Sequence, residues 1–261
     1  MPTYPNTLPP IDFETPPLAP VGGGLLSVAT VFDVSGPARH LGGVSLRSRN
    51  CDTGAATYST ALCDDDEPEI KLPGDRSAPV EFAPVLVYSA SECRPDEPSS
   101  ETLERARHTR TLREGALLEA EFAAVLLDAA GTPEAVPDLV SAVGYLEAAG
   151  AEIGADGMVI HAGRQWAAPA HRDNLVSRSG VMLRAPMGER WAFAPGYGDL
   201  GNVLVLTGPV FIWKHLPFEQ SAVTGSHPEA EYGNTSYALS ERLWVAAFEC
   251  PLLAVQIDPT P

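Results

Sequence analysis

The chain of 261 residues is long enough to bury a sizeable core, as one large domain or as two small ones. Its formal net charge is -17, from 34 Asp and Glu against 17 Lys and Arg, which excludes a general nucleic-acid binder because phosphate neutralisation needs clustered cations. The sequence contains no apolar run of about 18 residues, and its start lacks both regions of a signal peptide, so we expect no membrane span and synthesis in the cytoplasm.

The N-terminal segment, residues 1–24, contains seven prolines and ends in three consecutive glycines. Such a segment cannot form a helix or a central strand, so it is expected to be extended. Composition alone allows a disordered tail. The apolar side chains within it favour an arm laid along a neighbouring subunit: Tyr4, Leu8, Ile11, Phe13 and Leu18.

Two strands and a long polar loop are predicted next. Residues 25–34 and 43–49 have the composition of strands, and residues 80–90 form a third strand after a polar loop. The acidic run Asp64–Glu67 in that loop raises a calcium or magnesium hypothesis. The run lacks the spaced carboxylates and the distant Glu of a calcium loop, which favours a solvated loop.

A long helix is predicted over residues 98–131, with Ser99 or Ser100 as the N-cap and Gly131 as the stop. We expect its first half, up to Glu114, to be exposed or at an interface, and its second half to be buried nearly all round. Gly115 lies at the changeover. The predicted apolar stripe is Leu103, Ala106, Leu117, Ala120, Ala124 and Leu127.

Short helices and strands alternate after the long helix, which predicts an α+β or α/β domain. The predicted helices cover residues 137–151, ending at Gly150, and residues 163–176. The predicted strands are 157–162, a hairpin of 181–185 and 190–194, the run 202–213 as a strand pair or as one strand with a break at Gly208-Pro209, and the β-rich segment 237–257.

The four cysteines, at positions 51, 63, 93 and 250, include no CxxC pair. Zinc sites usually need close ligand pairs, so we predict no metal site. A Cys51–Cys63 disulfide is open to the protein only in an oxidising environment, and buried free thiols are the favoured expectation.

Catalytic motifs are few. Residues 196–201 match G-x-G-x-x-G but precede a strand rather than a helix, which favours a glycine-rich connection over a dinucleotide site. Glu119 and Glu121 face different sides of the helix and do not make an acid–base pair. An enzyme would have to bring His161, His171 and Asp173 into one pocket, although a hydrogen-bonded core histidine is the favoured interpretation of His161.

The order of parts, from arm to long loop, long helix and compact domain, resembles the Hong Kong 97-type fold of tailed-phage major capsid proteins. Three segments resemble the shell-subunit domain of actinobacteriophage head proteins: residues 166–198, 204–215 and 240–257. The resemblance covers most of the chain from about residue 25 onward. It implies an α+β capsid fold in five parts: 1–45 as an N-terminal arm with the first strands, 46–96 as an extended two-stranded loop, 97–134 as the spine helix of a peripheral domain, 135–215 as an axial domain, and 216–261 as strands that return to the peripheral domain.

The resemblance implies a structural subunit, not an enzyme, that self-assembles through hexamers and pentamers into an icosahedral shell around phage DNA. It implies no sequence-specific DNA binding, no membrane and no cofactor, a place in the virion after synthesis in the host cytoplasm, and portal or decoration proteins as further partners. Some family members crosslink a loop lysine to a neighbour. Lys71 is the only lysine in this loop, and no motif supports a crosslink. A minor head protein and an encapsulin-like nanocompartment shell remain alternatives.

Overall fold

A computed structural model describes residues 13, 15–36, 39–51, 54–55, 57, 72–93, 98–154, 156–224 and 235–258. The acidic run 64–67, Cys63 and Lys71 lie outside the described residues, and so do the predictions made on them. Among the described helices, none has both the length and the hydropathy that a membrane span requires.

Helices and strands alternate along the described chain. The described residues form four α-helices: α1 (Leu25–Val28), α2 (Ser99–Ala130), α3 (Leu139–Ile153) and α4 (Ala167–Arg172). The strands are β1 (Thr30–Val34), β2 (Val44–Leu46), β3 (Val80–Phe82), β4 (Pro84–Cys93), β5 (Glu134–Val136), β6 (Val159–Gly163), β7 (Ser177–Ser179), β8 (Met182–Arg184), β9 (Arg190–Ala194), β10 (Val203–Thr207), β11 (Val210–His215), β12 (Phe218–Thr224), β13 (Thr235–Phe248) and β14 (Leu252–Ile257). Three 3-10 turns lie at Arg39–Gly42, Arg164–Trp166 and Tyr197–Leu200.

The strands form two large sheets and a small ribbon. The first sheet has the order β1-β11-β13-β12, with β4 pairing along the other side of β13. The second sheet has the order β5-β14-β10-β6-β9-β8-β7. Strands β2 and β3 pair as an antiparallel ribbon at the base of the long loop that connects them.

The centre of the second sheet is covered on both faces. Along β6 and β10, successive side chains alternate between two cores: Val159 and Val205 pack with α2 and the first sheet, whereas Ile160 and Leu206 pack with α3 and α4. Because each face has a cover, these strands are continuously buried and show no polar alternation.

The strand run 202–213 breaks at Gly208-Pro209 as predicted, and the break has a topological meaning. Strand β10 belongs to the second sheet and β11 to the first, so the chain crosses between sheets at this point. The segment between β13 and β14 makes the same crossing in the opposite direction.

Helix α2 confirms the predicted long helix and its stop at Gly131, which adopts a positive φ of 65°. The predicted cap is wrong, because Pro98 occupies the N-cap position and no side chain caps the helix. Its buried face repeats every four residues, and the polar half is included: Thr102, Ala106, Arg110, Glu114, Leu118, Phe122 and Leu126.

Apart from Ala106, the predicted apolar stripe is therefore wrong, and so is the predicted burial of the second half. The first half is exposed over most of its surface as predicted, but it also has a buried face that carries Arg110 and Glu114, which hydropathy counts as surface residues. The second half is not buried all round, since Leu117 and Val125 remain nearly half exposed.

Three smaller predictions also need correction. Residues 25–34 do not form one strand, because Leu25 and Val28 turn into the core as α1 before β1 begins. Helix α3 passes the predicted end at Gly150 and stops at Gly154, whose φ is 68°. The predicted helix 163–176 is a 3-10 turn followed by the short α4.

The cysteine expectation is wrong for two of the four residues. Cys51 and Cys250 form a disulfide between positions 199 residues apart, instead of a local Cys51–Cys63 bond or free thiols. This disulfide can form because the C-terminal strands return to the base of the loop between β2 and β3.

Candidate functional site

His161, the central residue of the enzyme hypothesis, is completely buried on β6. Its Nδ1 and Nε2 atoms each lie 2.9 Å from a hydroxyl, those of Tyr197 and Thr207 respectively. Thr207 donates its own proton to the carbonyl of Gly208, so it accepts from Nε2–H, and Nδ1 accepts from Tyr197. Burial lowers the pKa of His161 to about 3, which keeps the ring neutral. His161 is a satisfied core residue.

His171 and Asp173 lie in a different environment, at the end of α4. His171 is exposed, and Asp173 is held by Arg172 through two hydrogen bonds of 2.7 and 2.9 Å. Within the described part of the chain, no hydrogen bond or ion pair joins either residue to His161. The three predicted residues are not brought together as one site.

The glycine-rich segment 196–201 is a connection between β9 and β10, as its sequence context predicts. It forms a 3-10 turn and is followed by a strand, so no helix N-terminus is available to phosphates. Gly196 is required by packing, because a Cβ at this position would lie 2.2 Å from the carbonyl oxygen of Ala116 in α2.

Glu119 and Glu121 face different sides of α2, as predicted. Glu121 is exposed, whereas Glu119 is buried and accepts hydrogen bonds from the backbone N–H groups of Leu25 and Gly196. Burial raises the pKa of Glu119, and those hydrogen bonds oppose the rise. This carboxylate ties the start of α1 and the β9–β10 connection to the long helix.

A buried ionic cluster joins the first half of α2 to the first sheet. Glu114 pairs with Arg110 one turn earlier and, at 2.7 Å, with Arg242 of β13. Arg110 also donates to the hydroxyl of Ser240 at 2.8 Å. The cluster is incomplete, because Nε of Arg242 is buried without a hydrogen-bond partner. Its role is to hold helix and sheet together rather than to perform chemistry.

The i,i+4 pairing of Arg110 and Glu114 is visible in the sequence, but its burial is not. A four-residue repeat extended backward from Leu118 through these two residues to Ala106 would have located the buried face. Arg242 and Ser240 have no such local signal, since they reach the cluster from a strand more than 120 residues away.

The first sheet leaves an apolar surface uncovered on the side opposite α2. Tyr88, Glu241 and Phe218 stand opposite one another on β4, β13 and β12, and Tyr88 and Phe218 are 64% and 54% exposed. We call this surface the outer face. It includes a shallow groove of about 370 Å³, whose apolar lining includes Leu41, Leu86, Leu216, Phe218 and Leu243.

Contiguous exposed apolar surface of this kind marks an interaction site more often than a solvent face. The described residues contain no group of three or more His, Cys, Asp or Glu side chains placed to hold a metal ion. The outer face is therefore the candidate functional site, and its chemistry is that of protein contact.

Comparison with solved structures finds the same architecture in several phages. A chain of Microbacterium phage Oxtober96 matches with a TM-score of 0.54 and 12% identity, over 96% of each chain. A chain of Mycobacterium phage Cain gives a TM-score of 0.55 and 12% identity, over 95% of this chain and 93% of that chain. A chain from the capsid structure of the cyanophage P-SCSP1u gives 0.51 and 10% identity, over 98% and 94%.

The chain has the Hong Kong 97-type capsid fold. The matches span nearly the whole of both chains, so the likeness concerns the complete architecture rather than one shared motif. No known protein-family profile and no curated protein sequence matches this chain. The fold predicted from the sequence resemblance, an α+β capsid fold with a long helix, is confirmed.

Proposed function

We propose that the chain is a structural subunit that self-assembles into the icosahedral capsid shell of a tailed phage and encloses its DNA. The observation that carries the proposal is the end-to-end match to a chain of the cyanophage P-SCSP1u capsid, with a TM-score of 0.51. A second match, to the asymmetric unit of the mature capsid of bacteriophage PhiM1, has a TM-score of 0.52. A closed shell needs repeated subunit interfaces, and the described surfaces are suited to supply them.

The outer face is the first such surface. Apolar side chains of β4 and β12 are exposed to water, although they belong to a sheet whose other side packs against α2. Burying them against another copy would stabilise the interface by about 25 cal/mol for each Å² of apolar area removed from water. In the assembled shell, we expect Tyr88 and Phe218 to contact a neighbouring copy.

The arm and the extended loop are the second set of surfaces. Phe13 and Leu18 of the arm and Leu72 of the loop are each about 75% exposed. Large apolar side chains on segments with little core of their own gain their cover from a partner. We expect these residues to be buried between copies in hexamers and pentamers.

We assign the five parts implied by the resemblance to this fold. Residues 1–45 and 46–96 would reach neighbours as arm and extended loop, and 97–134 would form the spine of the peripheral domain. Residues 135–215 would form the axial domain around the symmetry axes. Within residues 216–261, β13 belongs to the first sheet, which packs against α2, whereas β14 belongs to the second sheet. The C-terminal part would therefore contribute a strand to each of the two domains.

The charge of the chain suits a container for DNA. A net charge of -17 repels phosphate and supports enclosure without sequence-specific binding. Synthesis in a host cytoplasm, residence in the virion, and contact with portal or decoration proteins belong to this proposal.

The test is to express the full chain alone and to measure particle size by light scattering. Closed shells or capsomer rings are expected, with masses far above the 27.6 kDa of one chain. A clean monomer under all assembly conditions would overturn self-assembly and would favour a minor head protein that needs partners.

A matched pair of variants tests the outer face. Tyr88→Glu with Phe218→Glu places repelling carboxylates on this surface and should abolish large particles while leaving the circular dichroism spectrum of the subunit unchanged. Tyr88→Phe with Phe218→Tyr keeps the rings and should assemble as the wild type does. Normal shells from the glutamate variant would exclude the outer face as an interface.

A further inference from the structure

The two chain crossings between the sheets lie side by side. Gly208 in the first crossing donates its N–H to the carbonyl oxygens of Glu249 and Pro251 in the second, at 2.9 and 3.1 Å. Glu249 in turn donates its N–H to the carbonyl of Pro209. A Cβ on Gly208 would lie 2.2 Å from the carbonyl oxygen of Cys250, so the backbones are in direct contact. This junction sets how the two sheets are joined.

The base of the extended loop is bound to the same junction by one carboxylate. Glu249 accepts hydrogen bonds from the hydroxyl of Ser48, the N–H of Arg49, and both the N–H and the side-chain amide of Asn50, at 2.6 to 3.2 Å. Burial acts to raise the pKa of Glu249, but these hydrogen bonds together hold it below its ordinary value. The loop base is therefore held by a carboxylate that stays ionised near neutral pH.

The disulfide acts on the next residue of each segment. Cys51 follows the residues bound by Glu249, and Cys250 follows Glu249 itself. Their Cα atoms are 6.0 Å apart, within the range that a disulfide spans. Four successive loop residues, 48–51, are thus fixed to two successive junction residues by hydrogen bonds and one covalent bond.

We propose that Cys51 and Cys250 form a redox-operated latch that fixes the base of the extended loop to the junction between the two sheets. As thiols, the two residues leave the loop base held without a covalent bond, by the Glu249 hydrogen bonds and by the contact of 2.7 Å between Ser48 Oγ and Cys250 Sγ. On oxidation, the two thiols lose two hydrogen atoms, either to molecular oxygen, which becomes hydrogen peroxide, or to a small disulfide, which becomes two thiols. The sulfurs then join, and the loop base is held covalently.

The redox environment of the compartment determines whether the latch is open or closed. Reducing conditions such as those of a cytoplasm keep the pair as thiols, and oxidising conditions outside a cell close it. The consequence for a shell rests on the proposed function: the loop would adjust during assembly and become fixed to its own subunit after the particle leaves the cell.

The first test maps the bond in the purified full chain after exposure to oxidised glutathione. Peptide mass spectrometry should find a linked Cys51–Cys250 peptide that disappears on reduction with dithiothreitol. If both thiols still react fully with iodoacetamide after that exposure, the bond does not form and the latch is wrong.

The second test measures hydrogen exchange at the amides of Arg49 and Asn50. Reduction of the wild-type chain should raise their exchange rates on the order of tenfold or more, because opening no longer has to stretch a covalent link. Cys250→Ser should give the same fast exchange under oxidising conditions, and the control Cys93→Ser should behave as the wild type does. Amides of β10 should be unchanged throughout. Equal exchange at Arg49 and Asn50 in reduced and oxidised wild type would overturn the latch.

Both tests are independent of assembly. A chain that stays monomeric but shows the redox-dependent exchange would contradict the proposed function and keep the latch. Shells that form normally from a chain with no redox-dependent exchange would do the reverse.

Discussion

The two halves of α2 are buried at the same four-residue spacing but against different chemistry. From Leu118 onward the buried face is apolar, apart from Glu119, and joins the core shared by both sheets. Before it, Arg110 and Glu114 occupy the same face and contact the first sheet through Arg242 and Ser240. One helix therefore packs by hydrophobic contact at one end and by a buried ionic cluster at the other.

The two kinds of contact lose stability in different ways when a side chain is removed. An apolar contact loses transfer and cavity free energy when it is truncated. A buried ionic cluster adds little stability over an apolar replacement, but the loss of one member leaves the others buried with their charges unpaired. The polar half should therefore be more sensitive to single substitutions and more tolerant of joint ones.

The largest effect is expected from Glu114→Ala, which removes the carboxylate shared by Arg110 and Arg242. Leaving two buried guanidinium groups unpaired should lower the free energy of unfolding of the unassembled chain by about 3 to 5 kcal/mol. Urea denaturation measures the change. Glu121→Ala, an exposed glutamate on the same helix, is the control and should change it by less than about 0.5 kcal/mol.

Joint replacement of Arg110, Glu114 and Arg242 by Met, Leu and Met should restore most of that loss. It removes all three charges and the unpartnered Nε of Arg242 together. A triple variant as unstable as Glu114→Ala would show that the ionic cluster supplies stability that an apolar core cannot replace.

In the apolar half, Leu118→Ala should lower the free energy of unfolding by about 3 kcal/mol, because Leu118 is only 1% exposed and leaves a cavity. Leu117→Ala is the matched control on the exposed face, with an expected loss below about 1 kcal/mol. Similar losses for the two variants would mean that the buried face is assigned wrongly.

His161 of β6 is a buried polar residue that contacts the apolar half of α2, where its ring packs on that of Phe122 with centroids 5.7 Å apart. Its pKa is lowered to about 3 in the folded chain, so between pH 6.5 and that value only the unfolded chain takes up the proton. The stability that this neutral ring contributes is complete above pH 6.5 and is lost as pH falls, by about 1.4 kcal/mol per pH unit.

His161→Gln can keep both hydroxyl contacts without titrating. The unfolding free energies of wild type and variant should therefore converge, or cross, as pH falls from 6.5 to 4.5. A difference between them that is constant over this range would contradict the buried, neutral state of His161.

The smallest effect is expected for Arg107→Ala at the exposed edge of the polar half. Arg107 makes two hydrogen bonds to Glu219, at 2.9 and 2.7 Å, but its side chain is nearly half exposed. Exposed ion pairs contribute about 0.2 to 1 kcal/mol. Thermal unfolding in low and high salt should show a small loss that shrinks with salt, and a loss as large as that of Glu114→Ala would remove the distinction between exposed and buried charge.

Local sequence signals predicted well those features of the fold that depend only on neighbouring residues. Pro98 and Gly131 bound α2 within one residue of its observed ends, and Gly208-Pro209 correctly marked the break between β10 and β11. Local pattern could not show that these two strands enter different sheets, because both are mostly apolar and the choice depends on strand pairing far along the chain.

The candidate surfaces were harder to predict for the same reason. Strand alternation places Tyr88 and Phe218 on faces of their own strands, but only the pairing of β4, β13 and β12 brings them onto one surface. The disulfide partner of Cys51 lies 199 residues away, beyond the reach of any spacing rule. Hydropathy assigned Glu114 to the surface because it does not represent a partner supplied by β13.

The most direct test of the shell-subunit account is electron cryo-microscopy of the full chain expressed and purified alone. The account predicts closed icosahedral particles, and a reconstruction in which the outer face with Tyr88 and Phe218 is covered by a neighbouring copy. A sample that contains only single chains or irregular aggregates under all assembly conditions would contradict it.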